Sequence, residues 1–144
     1  MKIALVSCVS KKLEGIHKAK DLYISDWFKK AKAYVDKNNN IYDSWYILSA
    51  KYYLVNPNQY LEYYEMYLPK QSKEYKQEWA NKVIRQLTNI PSCEIDIFAG
   101  QEYRKYLVPL LETRGFKVNV PMMGLGIGQQ LKWFKDKPIE TKIS

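Results

Sequence analysis

A chain of 144 residues, 47% of them hydrophobic, is long enough for one domain with a real core, and no apolar run approaches the roughly 18 residues of a membrane helix. A net charge of +8 and a pI near 9.3 favour a polyanionic partner, although the lysines are scattered, as on an ordinary solubilising surface. One histidine, His17, and two distant cysteines, Cys8 and Cys93, exclude a typical zinc shell, so no metal and no cofactor are expected.

The opening Met1-Lys2-Ile3-Ala4-Leu5-Val6 is too short an apolar stretch for a signal peptide, and a cytoplasmic protein with free, buried thiols is expected. Residues 2–8 read as a central strand, because Ile3, Ala4, Leu5 and Val6 run without a polar break. A polar stretch, 9–21, leads to a helix capped by Ser25, with Trp27, Phe28, Ala31, Tyr34 and Val35 at helical spacing. Asn38-Asn39-Asn40 ends it, and residues 44–48 form the second strand. Residues 49–71 then read as a long, tyrosine-rich loop, of the kind that often carries function. A helix starts at about Ser72, with Trp79, Val83, Ile84 and Leu87 on one face. Residues 94–98 are the third strand, 101–114 a helix with Gly115 as its C-cap, and 116–120 the fourth strand. Pro121 leads into glycine-rich residues 124–128 and a short closing helix.

The alternation predicts a single α/β domain, residues 1–144. Its architecture is three-layered, a mainly parallel four-stranded sheet with helices on both faces. Right-handed crossovers gather the loops after the strands at one sheet edge, where α/β ligand sites form. The first such loop, Ser7-Cys8-Val9-Ser10-Lys11-Lys12, offers hydroxyls and ammonium groups to a phosphate or carboxylate, with Ser7, Ser10 and Lys11 as candidate ligand-holding residues. It lacks the P-loop spacing. In the second, Lys51 and Tyr52 suit a phosphate and a stacked base, while Glu62 and Glu65 are candidate acid or base groups. In the third, Gly100 allows close backbone approach at a helix start, and Arg104 in the first turn opposes the helix dipole, which points to an acidic partner such as a phosphate or Glu102. The fourth, with Gly124, Gly126 and Gly128, brings backbone close to a flat or anionic group, and Gln129 or Gln130 can read a base edge. It is not a dinucleotide fingerprint, because no βαβ unit follows it. Cys8 as a nucleophile needs a base, and nothing in the sequence places His17 beside it.

Together these stretches resemble a family of uncharacterised bacterial and phage proteins. Its members share an S-C-S-K-x-K opening, an L-Y-x-S-x-x-F-x-K-A helix start, S-A-K-Y-G-L and A-G-x-x-Y elements, and a G-L-G-I-G-x-Q-L-x-W ending. The corresponding residues are 7–12, 22–31, 49–54, 99–103 and 124–133. More distantly the chain is similar to the domain attached to archaeosine-forming enzymes and to uracil-DNA-glycosylase-like folds. The resemblance implies a nucleobase- or nucleotide-processing protein, a glycosylase-like enzyme with Glu65 as its catalytic carboxylate. Tyr53 replaces the family's glycine, and Glu65 its aspartate, which alters the geometry around both. A non-catalytic module binding nucleic acid or a nucleotide is the second expectation. A protein-interaction domain using the tyrosine-rich loop is the third. No membrane partner is expected.

Overall fold

A computed structural model describes residues 1–8, 11–91 and 93–136. Strand β1 (Lys2–Ser7) is buried on both sides: Ile3 and Leu5 enter one core cluster, Ala4 and Val6 the other. That is why its sequence shows no alternation. Helix α2 (Asp26–Lys37) begins at Ser25, whose Oγ accepts from the Phe28 amide at 3.1 Å, and it covers the Ala4/Val6 face with Trp27, Phe28, Ala31, Tyr34 and Val35. Strand β3 (Ser44–Ser49) then pairs in parallel with β1. Helix α3 (Lys73–Gln86), capped by Ser72, lies on the opposite face through Trp79, Ala80 and Val83. β6 (Glu94–Phe98) pairs with the free side of β1. Helix α4 (Gln101–Thr113) shares the α3 face, β7 (Lys117–Asn119) joins β6 in parallel, and α5 (Ile127–Asp136) returns to the α2 face through Phe134. Gly115 at φ +91° closes α4, a conformation a side chain would strain.

The expected four strands are therefore present as β3-β1-β6-β7, all parallel, with helices on both faces. The strand count is corrected. The sheet is five-stranded and mixed, in the order β4-β3-β1-β6-β7, because β4 (Tyr53–Val55) folds back antiparallel on β3. The segment 49–71 is not a structureless loop either. After β4 it supplies β5 (Tyr60–Glu62), which pairs antiparallel with β2 (Ile16–Lys18), and a 3-10 turn at Leu68–Lys70. The polar stretch 9–21 contains β2, and the one-turn α1 (Ala19–Leu22) begins within it.

This order sets the place of the site. The chain leaves β1 toward β3 over one face and later returns to the other side of β1, as β6, over the opposite face. The winding reverses between β1 and β6, and in open α/β sheets the crevice for a ligand opens beyond the carboxyl ends of strands at such a point.

Candidate functional site

A cavity of about 510 Å³ lies at that point of reversal. The carboxyl end of β1 contributes Ser7 and Cys8, the start of α4 contributes Gly100, Gln101, Glu102 and Tyr103, and Trp27 and Tyr67 close the sides. Gly100 is the N-cap of α4 and brings no side-chain acceptor, so the helix presents backbone and its positive dipole end to this space. A smaller cavity of about 230 Å³ shares Trp27, Gly100, Gln101 and Gln130 with it and adds Arg104 and Gly124. A third, of about 400 Å³, is lined by Lys12, Tyr63, Glu65 and Lys70, and shares Tyr67 with the first.

Under the central cavity runs a buried hydroxyl cluster. The Tyr64 hydroxyl is 2.8 Å from the Tyr23 hydroxyl, 2.8 Å from Ser49 Oγ and 3.7 Å from Cys8 Sγ. Tyr103 donates to the Cys8 carbonyl at 3.4 Å. Burial pushes the Tyr23, Tyr64 and Tyr103 phenols above their usual range, and the adjacent Cys8 adds to the effect. These tyrosines are therefore neutral donors and acceptors at neutral pH.

Lys12 is delivered by a bridge to Tyr23, flanked by the Leu13 amide on the Leu22 carbonyl and the Ile24 amide on the Lys11 carbonyl. Its ammonium sits 4.5 Å from the centre of the Tyr64 ring. Burial pulls its pKa below the usual lysine value, outweighing Cys8 and Glu65, which favour the charged form. Lys51 approaches the same ring at 6.0 Å and the Tyr52 ring at 5.3 Å.

The residues named from sequence divide among these places. Ser7 and Gly100 line the central cavity, Arg104 and Gly124 the smaller one, and Glu65 the third. Glu65 is exposed and accepts from the Tyr63 hydroxyl at 2.8 Å. Lys51 and Tyr52 stand over or against Tyr64, with the Tyr52 and Tyr64 rings edge to face at 5.3 Å. Lys11 is exposed, and its carbonyl accepts from the Ile24 amide at 3.0 Å. Gln129 turns back on its own chain: its Oε1 accepts from the Gly126 amide at 3.0 Å. Ser10 lies outside the described residues. Arg104 does not pair with Glu102. Its Nε donates to the Ala99 carbonyl at 3.0 Å, while Glu102 pairs with Lys76 at 3.3 Å.

Lys12, Tyr64 and Tyr67 are not among the residues named individually from sequence, whereas Gln130, one of the two glutamines offered for a base edge, is the one that lines the central cavity. Gln130 had a readable signal, since it stands four residues before Phe134 and shares its inward face. There it accepts from Trp27 Nε1 at 2.8 Å and donates to the Leu125 carbonyl at 2.8 Å, tying α2 to the glycine-rich turn. Cys8 is buried, as expected of a small thiol, yet it is also a cavity wall. Among the described residues no cluster of His, Cys, Asp and Glu has the makings of a metal site, and no helix is long and apolar enough to cross a membrane.

One family model, described as a family of unknown function, DUF6884, matches residues 3–136. The chain belongs to DUF6884. The match runs from β1 to the end of α5, so all three cavities are built from DUF6884 sequence. Neither a search of curated proteins nor one of solved structures found a match.

Proposed function

We propose that the domain binds a nucleobase on a phosphate-bearing backbone, as a nucleotide or within nucleic acid, and acts on the base or its glycosidic bond. The makeup of the central cavity carries this reading: the rings of Trp27, Tyr67 and Tyr103 share its wall with the uncapped start of α4. Rings accept a stacked base, worth about 1–3 kcal/mol each where stacking occurs, and a helix start accepts an anion. Arg104 on one side and Lys12 and Lys70 on the other bring three cations around this space, beside the carboxylates of Glu102 and Glu65. The volume of about 510 Å³ suits a small ligand. The motif resemblance to glycosylase-like and archaeosine-associated domains supports the same ligand class.

With the base in the central cavity, its sugar lies toward Tyr67 and the cavity of Glu65. There a carboxylate orients water or stabilises the positive charge that develops at the sugar carbon as the base departs. A non-catalytic binding module uses the same cavity and differs only in lacking turnover.

One experiment separates the outcomes: titrate a fluorescent single-stranded oligonucleotide and a mononucleotide at rising salt, then assay base release from oligonucleotides carrying uracil and other modified bases. Binding that weakens with salt, and base release lost in Glu65→Gln with binding retained, supports the enzyme. Binding without release leaves the module. Absence of binding to either probe overturns both.

A further inference from the structure

We infer that the ε-amine of Lys12 is a nucleophile that captures an aldehyde in the Glu65 cavity as an imine. The inference rests on the reading above only for the source of the aldehyde, the open-chain sugar left once a base has departed.

Geometry supplies the argument. Lys12 is half-buried, unlike its exposed neighbour Lys11, and its backbone is held by the bridge to Tyr23. The nitrogen itself lies over the Tyr64 ring, 4.5 Å from its centre, in the wall of a cavity of about 400 Å³, and the ring face, like Cys8 and Glu65, favours the charged amine. An amine attacks a carbonyl only through its free lone pair, and so only when it is deprotonated. Desolvation favours that form here, against the pull of Cys8 and Glu65. A lysine perturbed by burial and a named charge partner, inside a cleft, is a candidate functional group on physical grounds.

The Glu65 carboxylate lines the same cavity and supplies proton transfer. The Lys12 nitrogen bonds to the aldehyde carbon as the carbonyl π pair moves to oxygen, which takes a proton. That proton and a second one come from the nitrogen by way of Glu65: the first gives the neutral carbinolamine, and the second converts its hydroxyl to water, which departs as the C=N bond forms. Nothing is oxidised or reduced, and amine plus aldehyde become imine plus water.

Borohydride tests this, since it reduces an imine to a stable secondary amine. The protein is incubated separately with ribose 5-phosphate and with a single-stranded oligonucleotide containing an abasic site, then reduced, weighed intact and mapped by peptide. We expect an adduct concentrated on Lys12, several-fold above exposed lysines such as Lys29, lost in Lys12→Arg and kept in Lys29→Arg. The wild-type map decides the matter even if Lys12→Arg fails to fold. Adducts spread evenly over surface lysines overturn the inference. An oligonucleotide that binds without an adduct at Lys12 overturns it while the proposed function stands. An adduct at Lys12 from ribose 5-phosphate, with no binding of either nucleotide probe, upholds the lysine and removes the nucleic-acid reading.

Discussion

The Tyr64 hydroxyl meets Tyr23, Ser49 and Cys8 where little water reaches, so its value lies in the partners it keeps satisfied. Tyr64→Phe preserves the ring that Lys12 and Lys51 approach and removes only that oxygen. The Tyr23 hydroxyl and Ser49 Oγ each lose a partner, although Ser49 keeps the Tyr52 amide at 3.0 Å. Leaving buried polar groups short of a partner costs about 1–3 kcal/mol, and the urea midpoint of Tyr64→Phe should fall accordingly with an unchanged slope. An unshifted midpoint would mean that the cluster does not stabilise the fold. None of this pairing was legible in the sequence. Tyr23, Ser49 and Tyr64 are far apart along the chain, and a run of tyrosines does not reveal which ring turns inward.

At the scale of elements, the hairpin joining β3 to β4 shows where local reading stops. Ser49 pairs with Tyr53 across a three-residue turn, and Tyr53 holds φ +66°, in the left-handed region that suits glycine in such turns. The resembled family has glycine there. Tyr53 keeps a compensating contact: Lys82 Nζ donates to its hydroxyl at 3.0 Å and lies 4.8 Å from the ring centre. Tyr53→Ala loses that contact and keeps the strain, whereas Tyr53→Gly loses the contact and relieves the strain. Alanine should therefore be the more destabilising by about 1 kcal/mol, in thermal or chemical melts. The reverse order would show that the strain is unimportant. Long helices and the parallel strands were legible, because Ser25 and Ser72 cap recognisable apolar faces, β1 is an apolar run and β6 sets Ile95, Ile97 and Phe98 among two carboxylates. The three-residue strands β2, β4 and β5 were not: they lie outside the strand–helix alternation that marks the equally short β7. Strands β2 and β5 pair from far apart in the sequence, and the turn into β4 carries Tyr53 where a glycine would signal it.

At the scale of the molecule, the sheet edge where the central cavity opens was legible from the alternation of strands and helices. The convergence of Cys8, Gly100 and Tyr67 was not, because it depends on β6 lying beside β1 and on a fold-back after β5.

The same convergence buries phenols, and that has a consequence for pH. Tyr23, Tyr42, Tyr64 and Tyr103 are all held above the ordinary tyrosine value of 10.0, mainly by burial. Their folded pKa exceeds the unfolded one, so their contribution is fully present below about pH 10. Above it the unfolded chain releases phenolic protons that the folded chain retains, and stability falls. Lys12 has the opposite sign, since its folded pKa is lowered from 10.5, but its effect ends once the unfolded lysine is also neutral. Each retained proton contributes ~1.4 kcal/mol per pH unit, so four phenols outweigh one amine. Urea midpoints should hold steady to about pH 9 and then drop steeply, with unfolding releasing a fast-ionising tyrosine absorbance. Tyr103→Phe should lessen the slope by close to one proton. A midpoint that is flat through about pH 11 would mean that these hydroxyls ionise in the folded state.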